Sequence, residues 1–290
     1  MDECSASAED DSMLRIVTDT ASDITIDQAK DMNIDLVSLD ITFEDGPAPQ
    51  RTEEDFQRFY ERLKTCEKLP VTSRTPPEEY LHIFEDAKAK GEDVLVITLS
   101  SGLSGTVDSA LMAKQIAGYD RIEVVDSHQA ILTQRMLVEH AIHLREEGYP
   151  LQEIAARVKD MREQLVVCGV VGTLKYLQKG GRIPASLAAV GTLLRIKPVI
   201  VLEDKILKQL GKARGHEAGE AMLYKRMEED SFNKAYPVYF GYTSNRALTE
   251  KFMQQTKERY GLTQTRLFPV GGVIGTHCGT DCVAVAYVKG

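Results

Sequence analysis

The stretch that decides the fold reads Val94-Leu-Val-Ile-Thr-Leu-Ser-Ser-Gly-Leu-Ser-Gly-Thr106. Its apolar, β-branched first half predicts a buried strand, and the apolar spacing after Thr106 predicts a helix. The hydroxyls and glycines between them predict a tight loop that ends at a helix N-terminus. Free backbone N–H groups and the positive end of the helix dipole suit such a junction to an anion. The same residues also suit an ordinary N-cap, so the local sequence leaves both interpretations open.

Strand-like runs recur along the chain with helical patterns between them, which predicts an α/β fold with largely parallel or mixed sheets. The best boundary lies near Gln164, after two consecutive predicted helices. We therefore expect a disordered acidic tail over 1–12, an N-terminal α/β lobe over 13–164 and a C-terminal α/β lobe over 165–290. The predicted elements include one strand over Ile34–Phe43, a helix over Ala185–Leu194 and a short edge strand over Lys205–Leu210.

The composition of the 290 residues is that of an ordinary globular protein, with 43% hydrophobic and 27% charged residues. The 35 Lys and Arg against 44 Asp and Glu give a formal net charge of −9. An acidic chain gains no general attraction to phosphate backbones, so we expect no nucleic acid partner. No apolar run approaches the roughly 20 residues that span a bilayer, and the N-terminus lacks the apolar core of a secretory signal. We therefore expect a cytoplasmic protein.

Polar side chains follow three predicted strands of the N-terminal lobe. Asp19 follows the first strand, Ser101 the second and Asp126 the third. Because the carboxyl ends of parallel strands share one edge, where open α/β sheets bind ligands, we expect these residues to converge. Thr72 and Ser73, which precede a predicted helix, would add hydroxyls to the same crevice. Each of these residues is also explained as a cap or a turn former.

Two basic segments and one histidine complete the candidates. The pair Gly180-Gly181 predicts a turn or a close backbone approach, which leaves Arg182 to face an anion or a partner. Arg214 lies in a similar short segment between two glycines. His277 lies among glycines before the last predicted strand, where its imidazole could approach a ligand closely. Cations at a helix end or on a solvated surface explain both arginines equally well.

The absent motifs narrow the chemistry. There is no G-x-x-x-x-G-K-[ST] loop, no G-x-G-x-x-G fingerprint and no G-x-S-x-G elbow, so ATP or dinucleotide binding by a familiar loop is not expected. A nucleophilic pair of Ser104 and His277 would make a self-sufficient acyl hydrolase or transferase. A metal site at His277, Cys278 and Cys282 is a further alternative. A structural zinc site needs about four ligands, and because no second Cys/His pair is suitably spaced, we expect no metal.

One set of landmarks covers residues 13–290, nearly the whole chain: Thr18–Asp23, Thr72-Ser73, Ser100–Thr106, Val124–Ser127, Lys179–Ile183, Ile196–Pro198, Ala213-Arg214 and Gly275–Gly279. With this set the chain resembles the DegV family, whose members include the fatty-acid-binding subunits of bacterial fatty acid kinase. It departs from the family pattern at Arg74-Thr75, where Gln-Pro is usual, and at Thr280-Asp281, which follow the histidine loop.

The resemblance implies a long-chain fatty acid in an apolar tunnel between two α/β domains, with its carboxylate at the tunnel mouth. Thr72 and Ser104 match the hydroxyls that bind the carboxylate, Gly105 the backbone N–H donor and His277 the nearby histidine. Arg214 matches an arginine that presents the acyl group to the kinase. An ATP-binding kinase subunit would then phosphorylate the fatty acid to an acyl phosphate.

The resemblance therefore implies a ligand-presenting subunit with no activity alone and no cofactor. Its expected partners are a long-chain fatty acid and the kinase subunit, and transient contact with a membrane surface is left open. The expected ligand-binding residues are Thr72, Ser73, Ser101, Ser104, Gly105 and His277, and those expected to face the phosphate or the partner are Arg182 and Arg214.

Overall fold

The computed structural model describes residues 13–183 and 196–290. The predicted tail over 1–12 and the predicted helix over Ala185–Leu194 lie outside these residues. The described strands are β1 (Leu14–Asp19), β2 (Asp35–Val37), β3 (Asp40–Phe43), β4 (Gly46–Pro47), β5 (Val71–Ser73), β6 (Asp93–Thr98), β7 (Ile122–Asp126), β8 (Leu165–Val170), β9 (Ile196–Glu203), β10 (Ile206–Arg214), β11 (Val238–Tyr242), β12 (Thr265–Pro269) and β13 (Val283–Val288).

A short 3-10 turn, Thr20–Ser22, follows β1. The α-helices of the described chain are Ile26–Asp31, Glu53–Thr65, Pro77–Lys90, Thr106–Ala117, Ile131–Glu146, Leu151–Arg162, Lys175–Lys179, His216–Glu229, Arg246–Tyr260 and Gly272–Cys278.

The first sheet is parallel throughout, in the order β2-β1-β6-β7. Because side chains alternate across a strand, β6 serves two apolar clusters. Leu95 and Ile97 pack on the side of the helix Ile131–Glu146, and Val94 and Val96 pack with aromatic residues of Pro77–Lys90. Because β6 is buried on both faces, the sequence over Val94–Leu99 is a continuous apolar run rather than an alternation of apolar and polar residues.

The second sheet is mixed, in the order β10-β9-β8-β13-β11-β12. Among the strands that the structure describes in this sheet, β11 and β12 pair in parallel and the other neighbours pair antiparallel. Antiparallel pairing begins with the β9–β10 hairpin, whose turn residues Asp204 and Lys205 have φ of 51° and 71°. Two successive residues with positive φ form a two-residue turn whose twist matches that of the flanking strands. The prediction of an edge strand here is confirmed, since β10 lies at the edge of this sheet, but the strand is longer than the predicted Lys205–Leu210 and runs over Ile206–Arg214.

The predicted single strand over Ile34–Phe43 is wrong: it is two strands in two sheets. β2 joins the first sheet, whereas β3 pairs with β4 and β5 in a small antiparallel sheet. Between β2 and β3, the N–H of Leu39 donates to Thr20 Oγ1 at 2.9 Å and so holds the chain where it passes from one sheet to the other. The small sheet pairs Ile41 with Thr72, which carries Thr72 to the space between the two large sheets.

A shared apolar core joins the two large sheets. It includes Ile16 and Ile97 from the first sheet, Val167 and Leu202 from the second, and Leu137 from the helix between them. The opposite face of the second sheet packs on His216–Glu229 and Arg246–Tyr260 in a separate cluster. The division into lobes at residue 164, between Leu151–Arg162 and β8, stays our proposal.

Candidate functional site

A cavity lies between the two large sheets. The space free of protein atoms in and around it, part of which is open to solvent, amounts to about 980 Å³. Most of its wall is apolar and comes from both halves of the chain: Leu39, Leu99, Leu103, Ala130, Ile131, Val167, Val171, Leu177, Ile200, Val201, Leu202, Leu207, Val270, Val273, Ile274, Val283 and Ala284. Small-molecule sites are typically apolar clefts with a few converging polar groups, and this cavity has that character.

Two polar residues from distant parts of the chain meet in the cavity wall. Thr72 is the central residue of β5, and His277 lies in the last turn of the helix Gly272–Cys278. Thr72 Oγ1 lies 3.0 Å from His277 Nε2, a hydrogen-bond distance in which the tautomer of the imidazole decides the donor. The structure therefore brings Thr72 and His277 together, and their binding of a ligand stays a prediction.

His277 is neutral at physiological pH. Its side chain is buried, with 9% of the residue exposed, and burial together with the positive charge of Arg182 lowers its pKa to about 4. Its Nδ1 has no hydrogen-bond partner among the described residues. A neutral imidazole can donate or accept one hydrogen bond at each nitrogen, but it brings no positive charge to an anion.

The two glycines of Gly180-Gly181 serve different purposes. A Cβ on Gly180 would collide with Nδ1 of His277, so the imidazole requires glycine there. Gly181 has φ of 69°, in the left-handed region, and so makes the turn. The turn directs Arg182 into the cavity wall, where its Nε donates to the carbonyl of Leu103 at 3.1 Å.

Arg182 is half-buried, and its hydrogen bonds within the described residues go to main-chain carbonyls. Besides Leu103, its Nη1 donates to the carbonyl of Gly180. Burial lowers the pKa of the guanidinium, and in the described chain it has no ion-pair partner. A half-buried cation without a counter-charge favours an anion beside it, since an unpaired charge in such a place is costly.

The serine-rich loop delivers one hydroxyl to the cavity. Ser104 Oγ lies in the wall, 2.8 Å from Thr106 Oγ1. Gly105 directly precedes the helix Thr106–Ala117, at a terminus whose N–H groups have no carbonyl partner within the helix. The Ser104 hydroxyl thus lies in the cavity wall, and the helix N-terminus follows directly outside it.

The structure places some of the predicted site residues elsewhere. Ser73 lines the cavity with Thr72, but Ser101, Gly105 and Arg214 are not in its wall. The Ser101 hydroxyl donates to Asp126, which also pairs with Lys205 at 3.1 Å. The strand ends converge as predicted, but the contact between Ser101 and Asp126 is structural.

Arg214 ends β10 with an exposed side chain outside the cavity wall. A residue that the sequence reasoning did not select, Arg74, does line the cavity. Its Nη1 lies 3.5 Å from the carbonyl oxygen of Gly105. The one sign of Arg74 in the sequence was its departure from the family pattern at this position.

Asp19 and Asp23 are buried and structural. Asp19 accepts the N–H groups of Leu99 at 2.7 Å and Ala21 at 3.0 Å, and Asp23 accepts the N–H of Gly271 at 2.9 Å. Burial raises the pKa of Asp19 to about 6 and that of Asp23 to about 8. These carboxyls therefore tie main-chain segments together, the cap-like role that the sequence left open.

The geometry does not assemble the alternative sites. His277 Nε2 is paired with Thr72 rather than with Ser104, so the nucleophile–base hydrogen bond of a hydrolase is not formed. Within residues 13–183 and 196–290, no three His, Cys, Asp or Glu side chains are grouped to hold a metal ion. No helix in those ranges is both long and apolar enough to cross a membrane.

Comparison with known proteins identifies the family. Residues 13–290 match the family model described as "Uncharacterised protein, DegV family". A DegV domain-containing protein of Caldanaerobacter subterraneus is 30% identical, over 94% of this chain and 98% of that protein.

Two solved structures are similar throughout. A DegV family protein of Thermus thermophilus, described as binding fatty acid, has a TM-score of 0.86 at 27% identity, over 96% of this chain and 99% of that one. DegV of Bacillus subtilis, described as a fatty acid binding protein, has a TM-score of 0.82 at 26% identity, over 96% and 100%. With a family model that spans 13–290 and relatives aligned nearly end to end, this chain belongs to the DegV family.

Proposed function

We propose that this chain binds a long-chain fatty acid in the cavity between its two large sheets, with the carboxylate at the polar end. One observation carries the proposal: an apolar cavity whose wall also holds Thr72, Ser104, Arg182 and neutral His277. The relatives described as fatty-acid-binding support it. An apolar chain gains roughly 0.8 kcal/mol per buried CH₂, so the wall supplies most of the affinity.

The carboxylate is held by hydrogen bonds and one half-buried charge. Thr72 and Ser104 each offer a hydroxyl donor, and the backbone N–H proposed at Gly105 would come from the residue next to Ser104, just outside the cavity wall. Hydrogen bonds to an ionised group are shorter and about twice as strong as those between neutral groups. Arg182 offsets the negative charge, while His277 orients Thr72 without adding charge.

We further propose that the chain presents this carboxylate to a separate ATP-binding kinase subunit in the cytoplasm. A carboxylate oxygen would attack the γ-phosphorus of ATP as the bond to ADP breaks, which yields an acyl phosphate and ADP. The missing phosphate-binding loop supports a division of labour in which this chain carries the acyl group and has no activity alone. Exposed Arg214, close to the phosphoryl transfer in the proposed complex, would contact the partner.

Binding and presentation are tested separately. Delipidated protein is titrated with hexadecanoate by calorimetry, and saturable one-to-one binding is expected. The same loaded protein is then mixed with ATP and a bacterial fatty acid kinase subunit, and acyl phosphate is trapped as the hydroxamate. Hydroxamate that requires both proteins supports presentation, and binding without any hydroxamate would limit the function to fatty acid binding.

A further inference from the structure

Arg74 forms an outer cation at the polar end of the cavity. It follows β5 directly, lines the cavity beside Ser73 and is exposed to solvent. Its hydrogen bond is to a neutral acceptor, the carbonyl of Gly105 at 3.5 Å. In the described part of the chain it makes no ion pair, so its charge is available to a ligand.

Burial decreases outward through the polar residues of this cavity. His277 is buried, Thr72, Ser104 and Arg182 are half-buried, and Arg74 is exposed. We call Thr72, Ser104 and Arg182 the inner group. When a carboxylate binds to the inner group, any further group attached to the carboxylate lies closer to solvent. The first cation available to that substituent in the cavity wall is Arg74.

The charge of the wall is one-sided. Two arginines line the cavity, and no Asp or Glu does so within residues 13–183 and 196–290. The carboxylate of Asp108 lies near Gly105, on the first turn of the following helix, but it forms no ion pair with Arg74. The planar guanidinium can bind two oxygens of a phosphate or of a carboxylate at once. A carboxylate that is already bound by Thr72 and Ser104 is set further inside, so an anionic group that extends outward from it is the one that reaches Arg74.

We propose that Arg74 recognises the outer anionic oxygens of a phosphorylated head group, so that the site prefers an acyl or alkyl phosphate over the matching carboxylate. This inference rests on the proposed function and deepens it. It makes the carrier hold the phosphorylated product, because the inner group binds the acyl oxygen while Arg74 binds the phosphate.

The position of Arg74 depends on the absence of a side chain at Gly105. A Cβ there would lie 2.8 Å from Arg74 Nη1 and 3.2 Å from its Cδ. Gly105 has φ of −80°, which alanine adopts without strain. The Gly105→Ala change therefore moves the flexible end of Arg74 at little cost to the backbone, and it keeps the charge.

The test compares hexadecanoate, hexadecyl phosphate and neutral hexadecanol on the delipidated protein. The wild type is expected to prefer the phosphate, and Arg74→Gln to reduce that preference about three- to fivefold, as expected of an exposed ion pair. Hexadecanoate affinity should change far less, Arg74→Lys should keep part of the preference, and high salt should reduce it. Arg58→Gln is the matched control, because Arg58 is an exposed arginine that lies outside the cavity wall and pairs with Glu54 one turn away on the same helix.

A double-mutant cycle shows whether Gly105 acts through Arg74. Gly105→Ala should reduce the phosphate preference in the wild type and have no further effect on it in Arg74→Gln. An unchanged preference in Arg74→Gln, or an equal loss for all three ligands, would overturn the inference while leaving fatty acid binding in place. Failure of the wild type to bind any of the ligands would overturn the proposed function, and the inference with it.

Discussion

Thr72 Oγ1 lies 3.0 Å from His277 Nε2, although 205 positions separate the two residues in the sequence. The pair joins a short strand of the small sheet to the helix Gly272–Cys278 and stands at the polar end of an apolar cavity. Because the cavity wall comes from both large sheets, this contact can form only when the two halves of the fold are assembled.

Removing a hydroxyl at the polar end should weaken fatty acid binding. Thr72→Val keeps the side-chain shape and removes its hydroxyl, and Ser104→Ala removes the second one. Each should cost about 1–3 kcal/mol of binding free energy, the range for hydrogen bonds to a charged group. Calorimetric titration with hexadecanoate measures the effect. Thr65→Val, an exposed hydroxyl at a helix end, is the control and should bind as the wild type.

The glycine pair allows a matched test of the close approach to His277. Gly180 has an ordinary helical backbone, with φ of −76°, which alanine also adopts. Any effect of Gly180→Ala on stability or binding therefore comes from the collision of its methyl group with the imidazole. We expect a loss of about 1–3 kcal/mol in stability and weaker ligand binding. Gly181→Ala meets no atom within 4 Å but has φ of 69°, so it should cost stability without displacing His277.

Thermal unfolding and hexadecanoate titration separate the two glycine variants. Adding His277→Ala to Gly180→Ala makes room for the new methyl group and should restore part of the stability. Equal effects of both alanine variants on ligand binding would argue against the imidazole contact.

The lowered pKa of His277 makes stability depend on pH in the acid range. The folded pKa is about 4 and the unfolded value is 6.5. Between these values the unfolded chain binds the extra proton, so stability is full above about pH 6.5 and falls as the pH drops toward 4. His277→Gln should remove this contribution, up to about 3 kcal/mol at pH 4. Chemical denaturation across this range measures the difference, and parallel curves would contradict the assigned pKa.

Asp23 should produce the opposite dependence at higher pH. Burial raises its pKa from 3.8 to about 8, so the folded chain holds a proton that the unfolded chain has lost. Stability is therefore greatest below pH 4 for this group and declines as the pH rises through 8. Asp23→Asn keeps the acceptor for the Gly271 N–H and should reduce the decline between about pH 6 and pH 9 by about 2–3 kcal/mol. An unaltered slope in urea denaturation would show that Asp23 is ionised in the folded protein.

The sequence predicted the parts of the fold that local patterns control. The opening stretch became β6, a loop and the helix Thr106–Ala117, and the convergence of the strand ends is confirmed at Ser101 and Asp126. The split of Ile34–Phe43 was missed because Leu39 turns the chain by a long-range bond to Thr20, which no local pattern records.

The setting of His277 was missed for a related reason. Four glycines over 271–279 indicated a loop, yet the structure has a helix there. A Cβ on Gly275 would lie 2.5 Å from Tyr60 Oη, so this glycine is required by packing against the helix Glu53–Thr65 rather than by backbone conformation. Composition cannot separate these two reasons for a glycine, since only the neighbouring helix distinguishes them.

The arginines show the same limit at the site. Arg182 was expected at an anion and lies in the cavity wall, whereas Arg214 lies outside it and Arg74, taken only as a departure in a turn, lines it. Side-chain direction depends on tertiary placement of the segment, which the order of residues alone does not give. The contact of Arg214 with a partner subunit therefore stays a proposal.

Native mass spectrometry of the protein purified from bacteria tests the central claim most directly. The account predicts a bound mass equal to one long-chain fatty acid per chain, released on denaturation and reduced by Thr72→Val with Ser104→Ala. The same fatty acid should return when delipidated protein is incubated with it. A protein that is consistently empty and takes up no added fatty acid would contradict the account.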